Sequence, residues 1–256
     1  MKKVLEARNI SKVYNTGGSN FTALKGINLE VNEGEFVGIM GPSGSGKTTL
    51  LNVLSTIDNI SKGEILIDQK DVVSMNDDKL ALFRRNNLGF IFQDYNLLDT
   101  LTVGENIALP LALSNVKAKE VDSRVSEIAK KFGINNILDK YPYQISGGQK
   151  QRCAASRAIV TNPSIIFGDE PTGALDSKSA TDLLETIESL NENNKATILM
   201  VTHDAFAASY CKRVIFIKDG ELYEELQRNE LSRKQFFKKV VDVMSTISGG
   251  SANDVI

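Results

Sequence analysis

Cysteine is scarce in this chain: Cys153 and Cys211 stand alone among 256 residues, with no CxxC spacing and no neighbouring histidine. That pattern supports neither a disulfide framework nor a cysteine metal site, and it fits a reducing cytoplasmic compartment. Long hydrophobic runs are missing too. No window holds 18 uncharged apolar residues, so the chain is not expected to cross a membrane on its own. The opening stretch, Met1 to Arg8, carries charge where a signal peptide needs an apolar core. Charge of one sign is equally lacking. A net charge of −2 creates no bulk field toward nucleic acid or an anionic membrane. Internal repeats and low-complexity linkers are absent. What remains is an ordinary globular composition, 41% hydrophobic and 24% charged. The length fits one large domain, or one domain with an inserted subdomain.

One stretch organises the rest: Gly41-Pro42-Ser43-Gly44-Ser45-Gly46-Lys47-Thr48-Thr49. An apolar run over 35–40 precedes it and a helical pattern over 50–54 follows. Strand, glycine-rich loop and helix at the spacing G-x-x-x-x-G-K-[ST] define a Walker A phosphate loop. Glycines at 41, 44 and 46 let the backbone turn its N–H groups inward around an anion. Lys47 is placed to reach the β- and γ-phosphates, Thr48 to hold Mg²⁺ through its hydroxyl, and the helix adds its positive N-terminal end. A bare glycine-serine loop would need neither the flanking elements nor the full GK[ST] ending.

Along the chain, 4–10 and 23–31 alternate apolar and polar residues, as half-exposed antiparallel strands do. Between them Tyr14 is expected on a loop ending in Thr16-Gly17-Gly18, either as a strand-end aromatic or as a stacking surface for a base. Residues 62–68 and 88–93 read as further strands, the second ending at Gln93. Helical patterns cover 102–109 and 119–132, the latter with Val121, Val125, Ile128 and Phe132 on one face. The next strand is 164–169, so 94–163 reads as a helical insertion into an α/β core. Then follow a helix over 179–190, a strand over 196–202, a short helix over 205–211 and a hairpin turning at Asp219-Gly220. Ser232 and Gln235 form a capping box before an amphipathic helix, and the end from Ser248 to Asp254 looks flexible.

Two further segments suit phosphate chemistry. The apolar strand Ile165-Ile166-Phe167-Gly168 ends in Asp169 and Glu170, which point different ways. Asp169 suits Mg²⁺, and Glu170 suits the orientation and deprotonation of an attacking water. A solvated acidic turn before Pro171 is the plain alternative. The single histidine, His203, follows the strand ending at Thr202. That end of a parallel strand lines the ligand crevice, so contact with a γ-phosphate is favoured over a structural role. The helix opened by Ser146-Gly147-Gly148-Gln149 has capping-box spacing, which alone explains Ser146. Two glycines in its first turn cost about 1 kcal/mol each relative to Ala. They make sense if a ligand approaches the backbone there.

Together these segments closely resemble the ATP-binding subunits of ABC transporters over roughly Val4 to Tyr223. The signature motif looks like Ser146-Gly147-Gly148-Gln149, the Q-loop like Gln93, the D-loop like Ala174-Leu175-Asp176 and the switch histidine like His203. Tyr14 matches the adenine-stacking aromatic. One departure is Gly168, where a bulkier residue or Ala is common. The resemblance implies an α/β P-loop NTPase (RecA-like) core, an antiparallel β subdomain and an inserted helical subdomain. The ATPase domain would span 1–225, with the insertion at about 94–163 and a tail at 226–256. It implies two ATP molecules sandwiched in a head-to-tail dimer. In each site Lys47, Thr48, Gln93, Asp169, Glu170 and His203 come from one subunit and Ser146–Gln149 from the other. Gly41, Ser43, Gly44, Gly46, Thr49 and Asp176 complete the nucleotide contacts. Mg²⁺ falls to Thr48, Gln93 and Asp169.

A separate membrane permease would be the partner, on the cytoplasmic face of the cell membrane, with no nucleic acid involved. The segments 92–102, 169–178 and 208–220 resemble the bacitracin-resistance type of Gram-positive bacteria, whose ATPases serve a large permease and work with a sensor kinase. Macrolide-export and lipoprotein-release ATPases share much of the second segment. A GTPase is disfavoured because Asn194-Lys195-Ala196 is followed by Thr197 instead of Asp. A soluble DNA- or ribosome-directed ATPase of the family would carry coiled coils, zinc modules or two cassettes. A purely regulatory subunit would not keep Glu170 and His203. Tyr95, Leu97 and Leu98, just after Gln93, are expected as an exposed apolar docking surface for the permease.

Overall fold

Apolar-polar alternation in the first thirty residues becomes two long strands, and the uncharged run before the glycine loop becomes a short buried one. The structure, a computed structural model, describes residues 2–16 and 19–249. The elements in order are β1 (Lys3–Thr16), β2 (Ser19–Asn32), β3 (Phe36–Met40), α1 (Lys47–Leu54), β4 (Lys62–Ile67), β5 (Lys70–Asp71), α2 (Asp77–Asn87) and β6 (Leu88–Ile91). Then come α3 (Val103–Leu113), α4 (Ala118–Lys131), 3-10 turns at Asn135–Ile137 and Pro142–Gln144, α5 (Gly147–Ile159), β7 (Ile165–Asp169) and α6 (Ser177–Asn194). The chain closes with β8 (Ile198–Val201), α7 (Ala205–Ala208), β9 (Arg213–Lys218), β10 (Glu221–Gln227) and α8 (Arg233–Ile247). This is a mixed α/β fold with parallel and antiparallel pairing. It divides into two compact units, 1–76 with 197–256, and 77–196.

In the first unit β1 pairs antiparallel with both β2 and β4, giving the sheet order β2-β1-β4-β5. Ile27, Leu29 and Val31 of β2 are buried at every second position, the alternation of a sheet with one wet face. β3 is buried at all five positions because it lies between β8 and β9, parallel to both. Central parallel strands read as continuous apolar runs for this reason. β9 and β10 form the antiparallel hairpin. Its turn residues, Asp219 and Gly220, take φ of 51° and 80°, the left-handed pair of a type I′ turn.

In the second unit β6 and β7 pair parallel, Leu88 opposite Ile165 and Ile91 opposite Gly168. α5 packs on β6 at very close range. A Cβ at Gly89 would lie 2.4 Å from the carbonyl oxygen of Ala158, so only glycine fits. Between Asp94 and Pro163 the described chain holds α3, α4, the two 3-10 turns and α5, without a strand. α3 opens on a capping box between Thr102 and Glu105.

Several expectations shift. Tyr14 sits within β1, in register with Phe21 of β2, not on a loop. Gly17 and Gly18 lie outside the described residues, as do 250–254 of the expected flexible end at 248–254. β6 stops at Ile91, two residues before Gln93. α2 carries no legible stripe, because Phe83 is its single buried residue. In α4 the buried residues are Val125, Ile128 and Ala129, while Val121 is half-exposed.

The capping box of Ser232 and Gln235 forms in α8 as its spacing implies. α8 seals its own unit through Phe236 and Val240, both fully buried, while Phe237 stays 38% exposed. Phe236→Ala is therefore expected to cost about 3–5 kcal/mol in urea unfolding. Phe237→Ala, one position along, should cost less than about 1 kcal/mol. Equal losses would mean that α8 is not packed in this register.

Candidate functional site

In the first unit the turn from β3 into α1 is built by close backbone approach. A Cβ at Gly41 would lie 2.1 Å from the Ile217 carbonyl oxygen, and one at Gly46 2.9 Å from that of Ala23. Gly46 and Gly44 also take φ of 103° and 76°, where side chains are strained. The β9–β10 turn braces the loop, the Gly220 N–H donating to Ser45 O at 3.0 Å. Ser43 is exposed.

Lys47, only 9% exposed, curls back over the loop. Its Nζ donates to the carbonyl oxygens of Gly41 and Pro42 at 2.9 and 2.8 Å. No side chain caps α1, and its first turn contains no acid. A lysine ammonium thus sits beside an uncapped helix N-terminus, which is an anion cradle. Thr48 is exposed and Thr49 half-buried.

Tyr14, 37% exposed, hydrogen-bonds through its hydroxyl to Asp58 Oδ2 at 2.9 Å. His203 follows the end of β8 by two residues and is exposed. Its neighbours fix the backbone there: Thr202 N–H donates to Ile39 O, and Asp204 caps α7.

The second unit holds the other cluster. β6 and β7 end on the same side, so Gln93 emerges beside Asp169 and Glu170. Glu170 has φ of 46°, an uncommon conformation for a residue with a side chain, and Gly173 N–H closes its turn onto Glu170 O at 2.9 Å. A Cβ at Gly173 would come within 3.0 Å of Gln93 Nε2. Asp169 and Glu170 are both half-buried.

Two residues that sequence reasoning missed tie this cluster together. Gln151, fully buried, donates from Nε2 to Phe92 O at 3.1 Å and Pro171 O at 2.7 Å. It therefore holds the segment before Gln93 and the turn after Glu170 from one point on α5. Its signal was faint but present: Gln151 lies in helical register with Gly148, Ala155 and Ala158, all buried. Arg157 donates to Tyr95 O at 2.9 Å and Asn96 O at 2.6 Å. These two residues take φ of 60° and 48°, a left-handed pair held by one guanidinium. Burial lowers the Arg157 pKa, and arginine remains charged nevertheless.

Ser146 caps α5 as expected, its Oγ accepting from Gln149 N–H at 3.3 Å while Gln149 Oε1 accepts from Ser146 N–H at 3.0 Å. The two glycines have neighbours inside the chain. A Cβ on Gly148 would stand 2.7 Å from Ser179 Oγ, and one on Gly147 3.0 Å from the Tyr95 hydroxyl. Packing therefore already demands glycine at 148, without any ligand. Asp176 caps α6, accepting from Lys178 and Ser179 N–H and from Ser179 Oγ. The Ser179 backbone and side-chain bonds hold its carboxyl below the usual range. Tyr95 is half-buried against α5, so of the expected docking residues Leu98 is the exposed one, at 47%.

Gln151→Leu removes both donors and leaves two carbonyl groups unpaired. Each orphaned group should cost about 1–3 kcal/mol. Chemical unfolding reads the loss, and an unchanged midpoint would show that Gln151 does not brace these segments.

The family model described as ABC transporter matches residues 24–173. The bacitracin export ATP-binding protein BceA of Halalkalibacterium halodurans is 56% identical over 253 residues, covering 98% of this chain and 99% of that protein. The ABC transporter ATP-binding protein YxdL of Bacillus subtilis is 52% identical over 255 residues, 100% of this chain and 98% of that one. Among solved structures, the dimeric post-hydrolysis state of the ATP-binding cassette MJ0796 bound to ADP and Pi superposes with a TM-score of 0.81. It is 40% identical and covers 87% of this chain and 98% of that one.

Proposed function

We propose a function from one premise: the chain belongs to the ABC transporter family, as an ATP-binding subunit. In our reading it hydrolyses ATP as a head-to-tail dimer and drives a separate permease from the cytoplasmic face of the cell membrane. The observation that carries the reading is the Lys47 cradle, a preformed cation and uncapped helix end with no acid in its first turn. Residues 1–225 form the ATPase domain, with the helices at about 94–163 as an insertion that meets the permease and 226–256 as a tail.

Within this reading Gly41, Ser43, Gly44, Gly46, Lys47 and Thr49 bind the phosphates, and Tyr14 stacks on adenine. The donors assigned to Mg²⁺ are the Thr48 hydroxyl, the Gln93 amide oxygen and the Asp169 carboxylate. All are hard oxygens, the set magnesium prefers alongside phosphate. When bound, the ion neutralises charge on the β- and γ-phosphates. Glu170 accepts the proton of the attacking water, and its left-handed backbone is the kind of local strain found at functional sites. Gln93 orients that water and His203 contacts the γ-phosphate. The second copy supplies Ser146–Gln149, with Asp176 at the dimer contact.

The transport task we propose is resistance to antimicrobial peptides. The match to BceA runs over 253 residues and so must take in most of the tail, whereas the MJ0796 cassette covers only 87% of the chain. A sensor kinase is reached through the permease. The permease docks on a groove of about 360 Å³ in the second unit, lined by Phe90, Phe92, Leu109, Pro110 and Leu113. Asn96, the residue pinned by Arg157, lies on the same groove. Motion of the segment after Gln93 would therefore reach the docked partner.

Glu170→Gln is expected to keep ATP binding and slow hydrolysis by about 10²–10⁴. With ATP and Mg²⁺ the variant should accumulate as a dimer in size-exclusion chromatography. Turnover at the wild-type rate would end the role given to Glu170. For docking, the informative pair is Leu98 and Leu113, which are 47% and 54% exposed. Changing both to Asp should abolish copurification with the permease while circular dichroism and ATP binding stay normal. If the doubly charged variant still assembles and transports, the docking surface lies elsewhere.

A further inference from the structure

This inference rests on the reading of Tyr14 as the stacking surface for the base. Lys12 is a lysine in an unusual place, only 8% exposed on β1. Its Nζ lies 2.6 Å from Asp58 Oδ1 and 2.6 Å from Asn59 O, and 4.8 Å from the centre of the Tyr14 ring. Lys12 and Tyr14 stand two apart on one strand and so project to the same side. The ammonium therefore covers one face of the ring. The other carboxylate oxygen of Asp58 accepts the Tyr14 hydroxyl at 2.9 Å. Asp58 is itself tied to the phosphate loop's helix, its N–H donating to Asn52 O of α1 at 3.1 Å.

The protonation states are fixed by the same contacts. Burial pushes the Tyr14 phenol up and Asp58 beside it adds to the rise, so the hydroxyl stays a donor at neutral pH. Burial also opposes ionisation of Asp58, but the hydrogen bonds from Lys12 and Tyr14 outweigh it and hold the carboxyl below its usual value. The group is thus a neutral phenol bonded to an anion, with a cation behind its ring.

We propose that Lys12 and Asp58 are positioning residues for base recognition: they lock the Tyr14 ring so that one face is closed and the other presented to the base. The cation behind the ring draws π-density away from the presented face. That makes it a better platform for an electron-rich purine, while the bond from the hydroxyl to Asp58 fixes the distance from the ring to the phosphate helix. The base and the phosphates are then measured from one rigid element, α1, which Asp58 follows by four residues. An ion pair serving only the fold would hold the strand equally well without facing the ring.

The test separates base from phosphate. Calorimetry on the full chain compares ATP with inorganic tripolyphosphate, which has the phosphates and no base. Lys12→Met and Asp58→Asn should each weaken ATP about three- to tenfold, the range of a desolvated cation–π contact. Both should leave tripolyphosphate within about twofold. Lys12→Arg, which keeps the cation, should stay near wild type, and it carries the test with Asp58→Asn if Lys12→Met fails to fold. The effect of Lys12→Met should vanish when Tyr14 is already alanine. If Tyr14→Ala weakens ATP while Lys12→Met and Asp58→Asn do not, the positioning role is wrong and stacking stands. If Tyr14→Ala leaves ATP affinity unchanged, the stacking reading itself falls and takes this proposal with it. Equal loss of ATP and tripolyphosphate would reduce the cluster to a structural brace and overturn the proposal.

Discussion

Backbone must approach backbone more closely than a side chain allows around the turn from β3 into α1, and much of the first unit is arranged for that. Ile217 O and Ala23 O press on positions 41 and 46, and the hairpin turn at Gly220 bonds to the loop at Ser45. The loop is thereby held by its surroundings, with its own lysine across it. Preorganisation of this kind removes the ordering cost that a flexible loop would bring to phosphate binding. The strand that carries the loop, β3, is itself paired on both sides, with β8 and β9.

The second unit solves a different problem. The segments around Gln93 and Glu170 adopt backbone conformations that side chains resist, with positive φ at Tyr95, Asn96 and Glu170. Each must be over-determined by its surroundings to persist. Two polar side chains from a single helix, Gln151 and Arg157, supply that restraint by bonding to main-chain carbonyls. α5 also begins at the Ser146 cap. One rigid body therefore connects the proposed signature end, the Gln93 segment and the acidic turn. Coupling between a nucleotide and a docked permease, as proposed, would have a short and stiff path within this unit.

Glycine carries two distinct meanings in this chain. At 44 the space around a Cβ is open and the demand is conformational alone. At 148 the demand is steric, since Ser179 Oγ occupies the space. Ser179 is held in turn by Asp176, the residue that matches the D-loop aspartate. The first turn of α5 and the cap of α6 are thus fitted to each other inside one chain, whatever further contacts they make in a dimer.

Features written in contiguous residues were legible from the sequence. The phosphate loop, the caps at Ser146 and Ser232 and the Asp219-Gly220 turn each depend on a handful of neighbours whose identities state the geometry. The resemblance to ABC transporter ATP-binding subunits rests on such local motifs in order, and the family match bears it out. Tertiary structure alone decided the rest. Nothing in the sequence separates Phe236, fully buried, from Phe237, more than a third exposed, until α8 meets its unit. Tyr14 joined a strand because β2 pairs with it, a partner that local propensity cannot name. Gln151, Arg157 and the Lys12–Asp58 pair escaped because their partners are not marked by nearby sequence. Two of them bond main-chain carbonyls, which every residue carries and no sequence pattern marks, and the third joins residues 46 apart. A polar side chain acquires its meaning from what surrounds it, and only the folded chain supplies those surroundings.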